Sequence, residues 1–189
     1  MDDVDRKIIS QLQADGRTTL ETLGKITGYT SMGAKKRLEK LLESEAIKVS
    51  AQLNLKQFKL CSAIVLIETD GPETMQRLLK RFEECPRVVY IFTTIGGYNV
   101  IALVVAENQE TLESISMEKC SLRSEKRIRR SEFYPISDIG YSPFMPVRRH
   151  LAHKGLSMPP CNVDCRPCAR YKSGQCVGCP ATEYYRGHL

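Results

Sequence analysis

Long apolar runs and targeting segments are missing from this sequence. No stretch approaches the roughly 20 consecutive apolar residues that a membrane-spanning helix needs. The N-terminus, MDDVDRK, is acidic and lacks the apolar segment of a signal peptide. We therefore expect a cytoplasmic protein that does not enter a membrane. In that reducing compartment, its eight cysteines are expected to be metal ligands, reactive thiols or small buried residues, and not disulfides.

Motifs of the common enzyme classes are also missing. The sequence contains no Walker motif, no GxGxxG motif and no Ser-His-Asp pattern, so we assign no catalytic residues. Histidine is scarce, since the chain has only His150, His153 and His188. The net charge of +6 favours an acidic partner, although the location of the charge matters more than its sum. We predict a protein that is not an enzyme.

The length and the changes of pattern along the chain predict two domains and a tail. A chain of 189 residues is long enough for two small domains with separate cores. We predict a DNA-binding domain over residues 1–56, a second domain over 57–138, a proline-containing linker over 139–160 and a cysteine-rich tail over 161–189. Within the linker, residues 147–153 are a possible short helix.

Three amphipathic helices are predicted in the first domain. Apolar residues recur at helical spacing within residues 3–12, 20–26 and 34–42, and Gly28 ends the second helix. The next stretch, IKVSAQLNL, alternates as a pair of short strands would, which predicts a β-wing. Three helices followed by a β-wing are typical of a winged helix-turn-helix, a DNA-binding fold.

The third helix carries most of the candidate DNA-binding residues. In a helix-turn-helix, this helix enters the major groove with its N-terminal residues near base edges and its basic residues near phosphates. The candidates are Thr30, Ser31, Gly33, Lys35, Lys36, Arg37 and Lys40. Glycine is unfavourable within a helix, and close approach of the backbone to DNA would explain Gly33. The alternative is that these charges form only a solvated helix surface.

The second domain shows the order β-α-β-β-α-β. Alternating or continuously apolar runs predict four strands, two helical patterns separate them, and GGYN supplies the central turn. This is the ferredoxin-like arrangement, so the overall fold class is α+β. One sheet face needs a cover, most often a second copy, which predicts a homodimer or a higher oligomer. Cys61, Cys85 and Cys120 lie in or beside these elements and are predicted to be packed small residues.

The two domains together resemble the Lrp/AsnC family of feast/famine transcription regulators over roughly residues 1 to 138. An Asp pair, an apolar helix and an Asp-Gly-Arg sequence open the pattern, and a recognition-helix sequence follows. The matching residues are Asp3, Asp5, Leu12, Asp15, Gly16, Arg17, Ser31, Gly33, Arg37 and Leu38. The resemblance implies a regulator that binds double-stranded DNA sequence-specifically as a dimer or octamer, and it adds Arg17 to the DNA-binding candidates.

The resemblance also implies a small-molecule effector site in the second domain. Members of the family bind amino acids or related molecules near a Gly-x-Tyr-Asp turn, which corresponds here to Gly96, Gly97, Tyr98 and Asn99. Asn99 stands where an aspartate is common, so the turn lacks one negative charge that could face an effector ammonium group. The alternative is that Gly97 and Asn99 only suit a tight hairpin, because both tolerate positive φ.

The tail contains five closely spaced cysteines and lies beyond the resemblance. The spacing is C-x3-C-x2-C-x7-C-x2-C-P, formed by Cys161, Cys165, Cys168, Cys176 and Cys179. Gly174 and Gly178 supply tight backbone turns between them. Thiolates at such spacings can converge on one centre, and a tail this short needs a metal to fold. We predict a 4Fe-4S cluster, with zinc as the alternative; either takes four thiolates, and Cys161 or Cys165 is the expected spare.

Three functional hypotheses follow from these features. The first is a DNA-binding regulator whose cysteine tail senses redox state, oxygen or iron. The second is a siroheme-decarboxylase-like enzyme, because those enzymes resemble the same two-domain architecture. Such enzymes use histidine in a tetrapyrrole pocket, whereas the histidines of this chain lie outside both domains. The third is a metal-stabilised docking or electron-carrier module on an oligomeric platform.

Overall fold

The computed structural model describes residues 1–147 and 155–188. It divides the chain into two compact units, Met1–Ala51 and Gln52–Leu189, so the first unit ends a few residues before the predicted boundary. Across the described ranges, no helix has the length and apolar composition needed to cross a membrane.

Three helices form the first unit. They are α1 (Asp3–Ala14), α2 (Leu20–Thr27) and α3 (Ser31–Glu43). The side chains of Asp2, Thr19 and Thr30 accept backbone hydrogen bonds from the first turns and so cap the three helices. The apolar faces meet in a core whose buried members are Ile8, Leu23, Ala34 and Leu41. The predicted three-helix arrangement is confirmed.

Two glycines shape the turn between α2 and α3. Gly28 caps α2 with a φ of 77°, in the left-handed region that favours glycine. A Cβ atom on Gly24 would lie 2.8 Å from the carbonyl oxygen of Tyr29, which is closer than real Cβ contacts. The absence of a side chain at Gly24 therefore lets the turn pack against α2.

The second unit contains a four-stranded antiparallel sheet. Its elements are β1 (Leu53–Asn54), β2 (Cys61–Thr69), α4 (Pro72–Phe82), β3 (Val88–Thr93), β4 (Val100–Ala106), α5 (Gln109–Met117), a 3₁₀ turn (Leu122–Ser124), β5 (Ile128–Pro135), β6 (Phe144–Met145) and α6 (Ala169–Lys172). The sheet order is β3-β4-β2-β5, and every neighbouring pair is antiparallel. From β2 to β5 the chain follows the predicted β-α-β-β-α-β order, which is the ferredoxin-like arrangement.

The two faces of this sheet carry different covers. On one face, Val65 and Val104 of the sheet are buried in a core with Leu78 of α4 and Leu112 of α5. On the other face, a smaller core is covered by residues that precede and follow the ferredoxin-like elements. Its members are Leu55, Val89, Leu103 and Val105, with Leu60, Ile64, Ile136, Ile139, Met145 and Val147 packed against them.

The segment predicted as a linker over residues 139–160 is in part a cover for the sheet. Ile139, Met145 and Val147 pack on the second face, and β6 pairs with β1. Residues 139–147 therefore belong to the folded unit, because their apolar side chains bury the exposed sheet surface. The possible short helix over 147–153 falls almost entirely on residues 148–154, which lie outside the described ranges.

The predicted β-wing is wrong. Within the described residues, the chain after α3 forms no strand until β1, and β1 pairs with β6 instead of with a neighbouring wing strand. Ile47 packs against the helical core of the first unit, whereas Leu55 is buried in the second unit. The alternating apolar residues therefore serve two separate cores, which periodicity alone could not distinguish from a hairpin.

Candidate functional site

The N-terminal half of α3 presents an exposed basic surface. Lys35, Lys36 and Lys40 are exposed, as are Thr30 and Ser31 at the start of the helix. The ammonium of Lys35 lies 3.6 Å from a carboxylate oxygen of Glu39, an exposed ion pair that contributes little to stability. These residues are accessible to a partner.

Arg37 has partners within its own unit. Its guanidinium lies 2.8 Å from the carboxylate of Asp2 and 3.4 Å from that of Asp5, so it connects α3 to the start of α1. A hydrogen bond with Tyr29, followed by the charge of Asp2, raises the pKa of Arg37. The sequence predicted a DNA contact here, and the structure gives this side chain a role in holding the helices together.

Two other predicted DNA-binding residues also have local contacts. A Cβ atom on Gly33 would lie 3.0 Å from the ring of Tyr29, so the missing side chain makes room for this ring. That contact supplies a reason for Gly33 that does not involve DNA. Arg17 is exposed in the turn after α1, where its backbone N–H donates to Asp15 over 2.9 Å.

The turn from Gly96 to Asn99 is fastened to the sheet by its last two residues. The side-chain oxygen of Asn99 accepts a hydrogen bond from the backbone of Thr69 over 2.9 Å, and its amide nitrogen donates to Thr69 Oγ1 over 3.0 Å. The hydroxyl of Tyr98 donates to Glu132. Gly96 and Gly97 are exposed, and neither glycine nor Asn99 has a positive φ. The hairpin therefore does not depend on left-handed backbone, and Asn99 holds it through its amide.

Six cysteines line one cavity of about 50 Å³ on the helix side of the sheet. They are Cys85 and Cys120 from the ferredoxin-like part and Cys161, Cys165, Cys176 and Cys179 from the tail. Apolar side chains complete much of the wall, among them Val65, Phe82 and Leu122. In residues 1–147 and 155–188, no three His, Cys, Asp or Glu side chains converge tightly enough to hold a single metal ion. The thiols surround a cavity and do not close on one point.

Cys168 faces a second cavity. This neighbouring cavity measures about 520 Å³, and Cys120, Cys165 and Cys176 contribute to its wall as well as to the first. The sequence predicted Cys161 or Cys165 as the spare cysteine of the tail. The structure places both in the wall of the smaller cavity and leaves Cys168 outside it.

The tail folds through tight turns that position its thiols. Gly174 and Gly178 have φ values of 82° and 86°, which confirms that glycine is required for the backbone here. A Cβ atom on Gly178 would also lie 3.0 Å from the ring of Tyr171. The short helix α6 separates Cys165 and Cys168 from the second pair of cysteines, and both pairs thereby reach the cavity region.

A buried ion pair and several hydrogen bonds dock the tail on the ferredoxin-like part. The guanidinium of Arg87 lies 2.5 Å from Glu107 and donates over 2.6 Å to the carbonyl oxygen of Gly178. The hydroxyl of Tyr185 donates to the other carboxylate oxygen of Glu107. Burial opposes the charge on Arg87, but the adjacent Glu107 carboxylate raises the pKa of Arg87 overall. The ion pair thus joins the start of β3 and the end of β4 to the tail.

A second docking contact lies along α5. Arg170 of α6 donates from Nε to Ser114 Oγ over 2.6 Å and from its terminal nitrogen to the carbonyl oxygen of Glu110 over 3.0 Å. The backbone N–H of Val177 donates to Thr111 Oγ1 over 3.4 Å. The tail is therefore attached to the same helix that forms part of the cavity wall.

The cavity environment keeps several thiols protonated. Burial raises the pKa of Cys165 and of Cys179 to about 12. It also raises the pKa of Cys85 and of Cys120. These groups are neutral thiols near pH 7, and a metal that takes them as thiolates must displace their protons.

Sequence reasoning missed the position of Cys85 and Cys120. Both pack against the core of the second unit, as predicted for small apolar residues, but both also line the thiol cavity. One signal was available, because Cys85 is followed by a proline, as Cys179 is in the tail motif. Arg87 and Glu107 were missed as well, since nothing in their local sequence indicates a buried pair.

The two units match family models in the same order as they occur in the chain. Residues 1–42 match the AsnC-type helix-turn-helix domain, and residues 62–136 match the Lrp/AsnC ligand binding domain. The tail lies outside both matches. 

Known proteins show similarity over the same two domains. The HTH-type transcriptional regulator FL11 of Pyrococcus furiosus is 29% identical over 116 residues, which cover 60% of this chain and 76% of FL11. The Uncharacterized HTH-type transcriptional regulator YezC of Bacillus subtilis is 33% identical over 116 residues, which cover 60% of this chain and 81% of YezC. The crystal structure of the Mycobacterium tuberculosis Leucine response regulatory protein (LrpA) has a TM-score of 0.65 and 25% identity, and it covers 76% of this chain and 97% of LrpA.

These similarities decide between two of the functional hypotheses. FL11 and YezC are both named as transcriptional regulators, which gives the siroheme-decarboxylase alternative no support. The chain is a transcriptional regulator and not an enzyme. With both domain models matched in order and the corresponding folds in place, the chain belongs to the Lrp/AsnC family of transcriptional regulators.

Proposed function

We propose that this regulator binds operator DNA through α3 and holds a 4Fe-4S cluster in its cysteine-lined cavity, through which it senses redox state, oxygen or iron in the cytoplasm. The observation that carries the proposal is the set of six cysteines around one cavity in the unit that contains the ligand-binding domain. In this family, that domain is where a signal is expected to act. A bound group in the cavity would contact both the domain and the docked tail.

The arrangement of the thiols favours a cluster over a single zinc ion. Zinc binds thiolates at about 2.3 Å, so its four ligands must close around one point. A four-iron cluster binds one thiolate at each of its irons, so its ligands surround a volume. The cysteines here line a cavity, and apolar side chains such as Val65 and Phe82 form much of the rest of its wall. Zinc remains the alternative and would require the thiols to move together.

The DNA-binding part of the proposal rests on the exposed basic surface of α3. Lys36 and Lys40 have exposed side chains on the helix that enters the major groove in helix-turn-helix proteins. A protein that contacts phosphates through such residues releases counterions, so its affinity falls steeply with salt. In a two-fold symmetric dimer, the two helices would read a pseudo-palindromic site.

The uncovered part of the second sheet face supports self-association. Tyr90, Phe92 and Tyr134 remain 41%, 53% and 52% exposed on this face, beside the smaller core. Tyr90 and Phe92 stack on each other at the β3 edge, with ring centroids 5.8 Å apart, and Tyr134 lies at the opposite β5 edge. Exposed aromatic side chains beside an apolar core are typical of interaction surfaces. We assign this surface to a second copy of the chain, which gives a homodimer or a higher oligomer. A small-molecule effector near the Gly96 to Asn99 turn belongs to the same proposal.

Substitution of Lys36 tests the DNA-binding surface. Lys36→Ala is expected to weaken binding to a duplex selected from a random-sequence pool, and to reduce the slope of log affinity against log salt by about 1. Lys7→Ala, an exposed substitution on α1, is the matched control and should leave the slope unchanged. Arg37→Ala should also lower the melting temperature, because it removes the contacts to Asp2 and Asp5. Equal affinities for the Lys36 and Lys7 variants would reject α3 as the recognition helix.

Metal analysis of the anaerobically purified full chain tests the cluster. We expect about four irons and four sulfides per chain, with a broad visible band near roughly 400 nm that air bleaches. DNA affinity should then differ between the intact and the oxidised protein. One tightly bound zinc without colour would make the tail a structural or docking module. A chain that binds neither iron nor zinc would refute the metal site.

A further inference from the structure

We propose that Cys85 and Cys120 of the ferredoxin-like domain are ligands of the metal centre, so that the bound group joins this domain directly to the tail. The proposal rests on the metal site proposed above: of the four thiolates that the cluster takes, two come from the domain and the other two from the four tail cysteines that line the cavity. It changes the expected behaviour of the protein, because the centre would then be shared between two parts of the second unit.

The positions of the two cysteines suit ligands. Cys85 lies in the turn between the end of α4 and the start of β3, and Cys120 lies between the end of α5 and the 3₁₀ turn. The backbone N–H of Cys85 donates to the carbonyl oxygen of Phe82 over 3.0 Å, which fixes the first turn. Cysteines in turns can adjust to a bound group without breaking the pairing of a strand or the hydrogen bonds of a helix.

The position of these thiols at a cavity indicates a role beyond packing in the core. A small residue that serves only as packing fills space, and protein interiors leave few voids. Cys85 and Cys120 instead border a cavity whose remaining cysteine wall is formed by four tail residues. Six of the eight cysteines in the chain therefore meet at one place, although they come from three separate segments. Cys61, the other cysteine of the domain, is not among the residues that line this cavity.

Charge around the cavity is compatible with an anionic centre. A group that binds four thiolates carries net negative charge, and Arg87 is the basic side chain in the cavity wall, where its own charge is already paired with Glu107. Arg87 follows Cys85 by two residues and donates to the carbonyl oxygen of Gly178, which lies between Cys176 and Cys179. One buried cation therefore connects the segment of a domain cysteine to the segment of a tail pair.

Ligation by Cys85 and Cys120 would connect the bound group to the helices and the sheet of the ferredoxin-like domain. Ligands at Cys85 and Cys120 would hold the ends of α4 and α5, which pack on the sheet that carries the aromatic surface assigned to self-association. Loss of the group would release the tail and both helix ends at once. A tail that ligated the metal alone could be released without loosening either helix.

Substitution of the two domain cysteines tests this ligand set. In the full chain, purified anaerobically, the Cys85→Ala/Cys120→Ala double variant is expected to retain less than about a fifth of the wild-type iron and sulfide and to lose the visible band. Cys61→Ala is the matched control and should keep the wild-type content. Alanine keeps the sites apolar, so far-UV circular dichroism should show that both variants retain the sheet and most of the helical content, even where the tail is released.

Serine variants and tail variants separate the outcomes. Cys85→Ser/Cys120→Ser should lose metal as the alanine double variant does. If the serine variant loses metal but the alanine variant keeps it, the loss is caused by the buried hydroxyl groups, and the proposal is overturned. Full metal content in the alanine double variant, combined with loss in Cys176→Ala/Cys179→Ala, would assign the ligands to the tail and also overturn it. That result would leave the proposed metal site intact, whereas absence of metal from the wild-type protein would refute both proposals.

Discussion

Replacing Glu107 with glutamine is expected to destabilise the second unit by about 3–5 kcal/mol, because the substitution leaves a buried arginine without its charged partner. The guanidinium of Arg87 lies 2.5 Å from the Glu107 carboxylate, and the two side chains are only 8% and 1% exposed. Water therefore cannot replace the lost carboxylate charge. Urea unfolding of the variant and the wild-type protein, both with the same metal content, measures the difference.

Two further variants show whether charge is the cause. Asp138→Asn removes the exposed ion pair with Lys56, whose side chains are 53% and 70% exposed, and should cost at most about 1 kcal/mol. Arg87→Met/Glu107→Leu removes both buried charges and should recover at least half of the stability lost in Glu107→Gln, because apolar replacements of a buried pair are often neutral. A Glu107→Gln protein as stable as the Asp138→Asn protein would contradict the assignment of a buried, desolvated pair.

Local signals in the sequence were sufficient for most of the fold. Thr19 and Thr30 cap their helices through side-chain oxygens, and Gly28 ends α2 in the left-handed conformation. These preferences depend on a few neighbouring residues, so a sequence pattern contains them. The strands of the sheet could also be predicted from the sequence. A strand that is buried on one face or on both faces has a characteristic order of apolar residues.

The failures came where one pattern fits two tertiary arrangements. Ile47 and Leu55 both belong to the alternating stretch that predicted a wing, yet they are buried in different units. The DNA contact of Arg37 stays a prediction, but its ion pair with Asp2 was not foreseen, because Asp2 is more than thirty positions earlier in the chain. Contacts at such sequence separation are set by how the helices pack, which periodicity does not specify.

The cysteines show the same limit at the candidate site. The cysteine motif of the tail can be recognised in the sequence because its residues are close together. Cys85 and Cys120 have no cysteine neighbours along the chain. The docking of the tail through Arg87 and through α5 brings its cysteines to the cavity that Cys85 and Cys120 line. A cysteine cluster assembled from distant segments therefore requires the structure, even when part of it is evident in the sequence.

On the proposed metal site, removal of the bound metal is expected to make the tail at least about 100-fold more susceptible to trypsin. The tail has few apolar residues of its own, so the bound group should supply most of its folding free energy. A ligand present at about 100 times its Kd stabilises the bound state by about 2.7 kcal/mol, which corresponds to a roughly 100-fold change in the open population. Cleavage rates follow that population when opening is fast.

The measurement follows individual bonds in the full chain before and after anaerobic chelation. Mass spectrometry should show faster cleavage after Arg170 and Lys172, because Arg170 is held by Ser114 only while the tail is docked. Cleavage after Lys36 on α3 is the internal control and should not change, since the first unit has a core of its own. Equal rates at Arg170 with and without metal would contradict the prediction. The tail would then be held by the contacts of Arg87 and Arg170, and metal binding would be a consequence of docking instead of its cause.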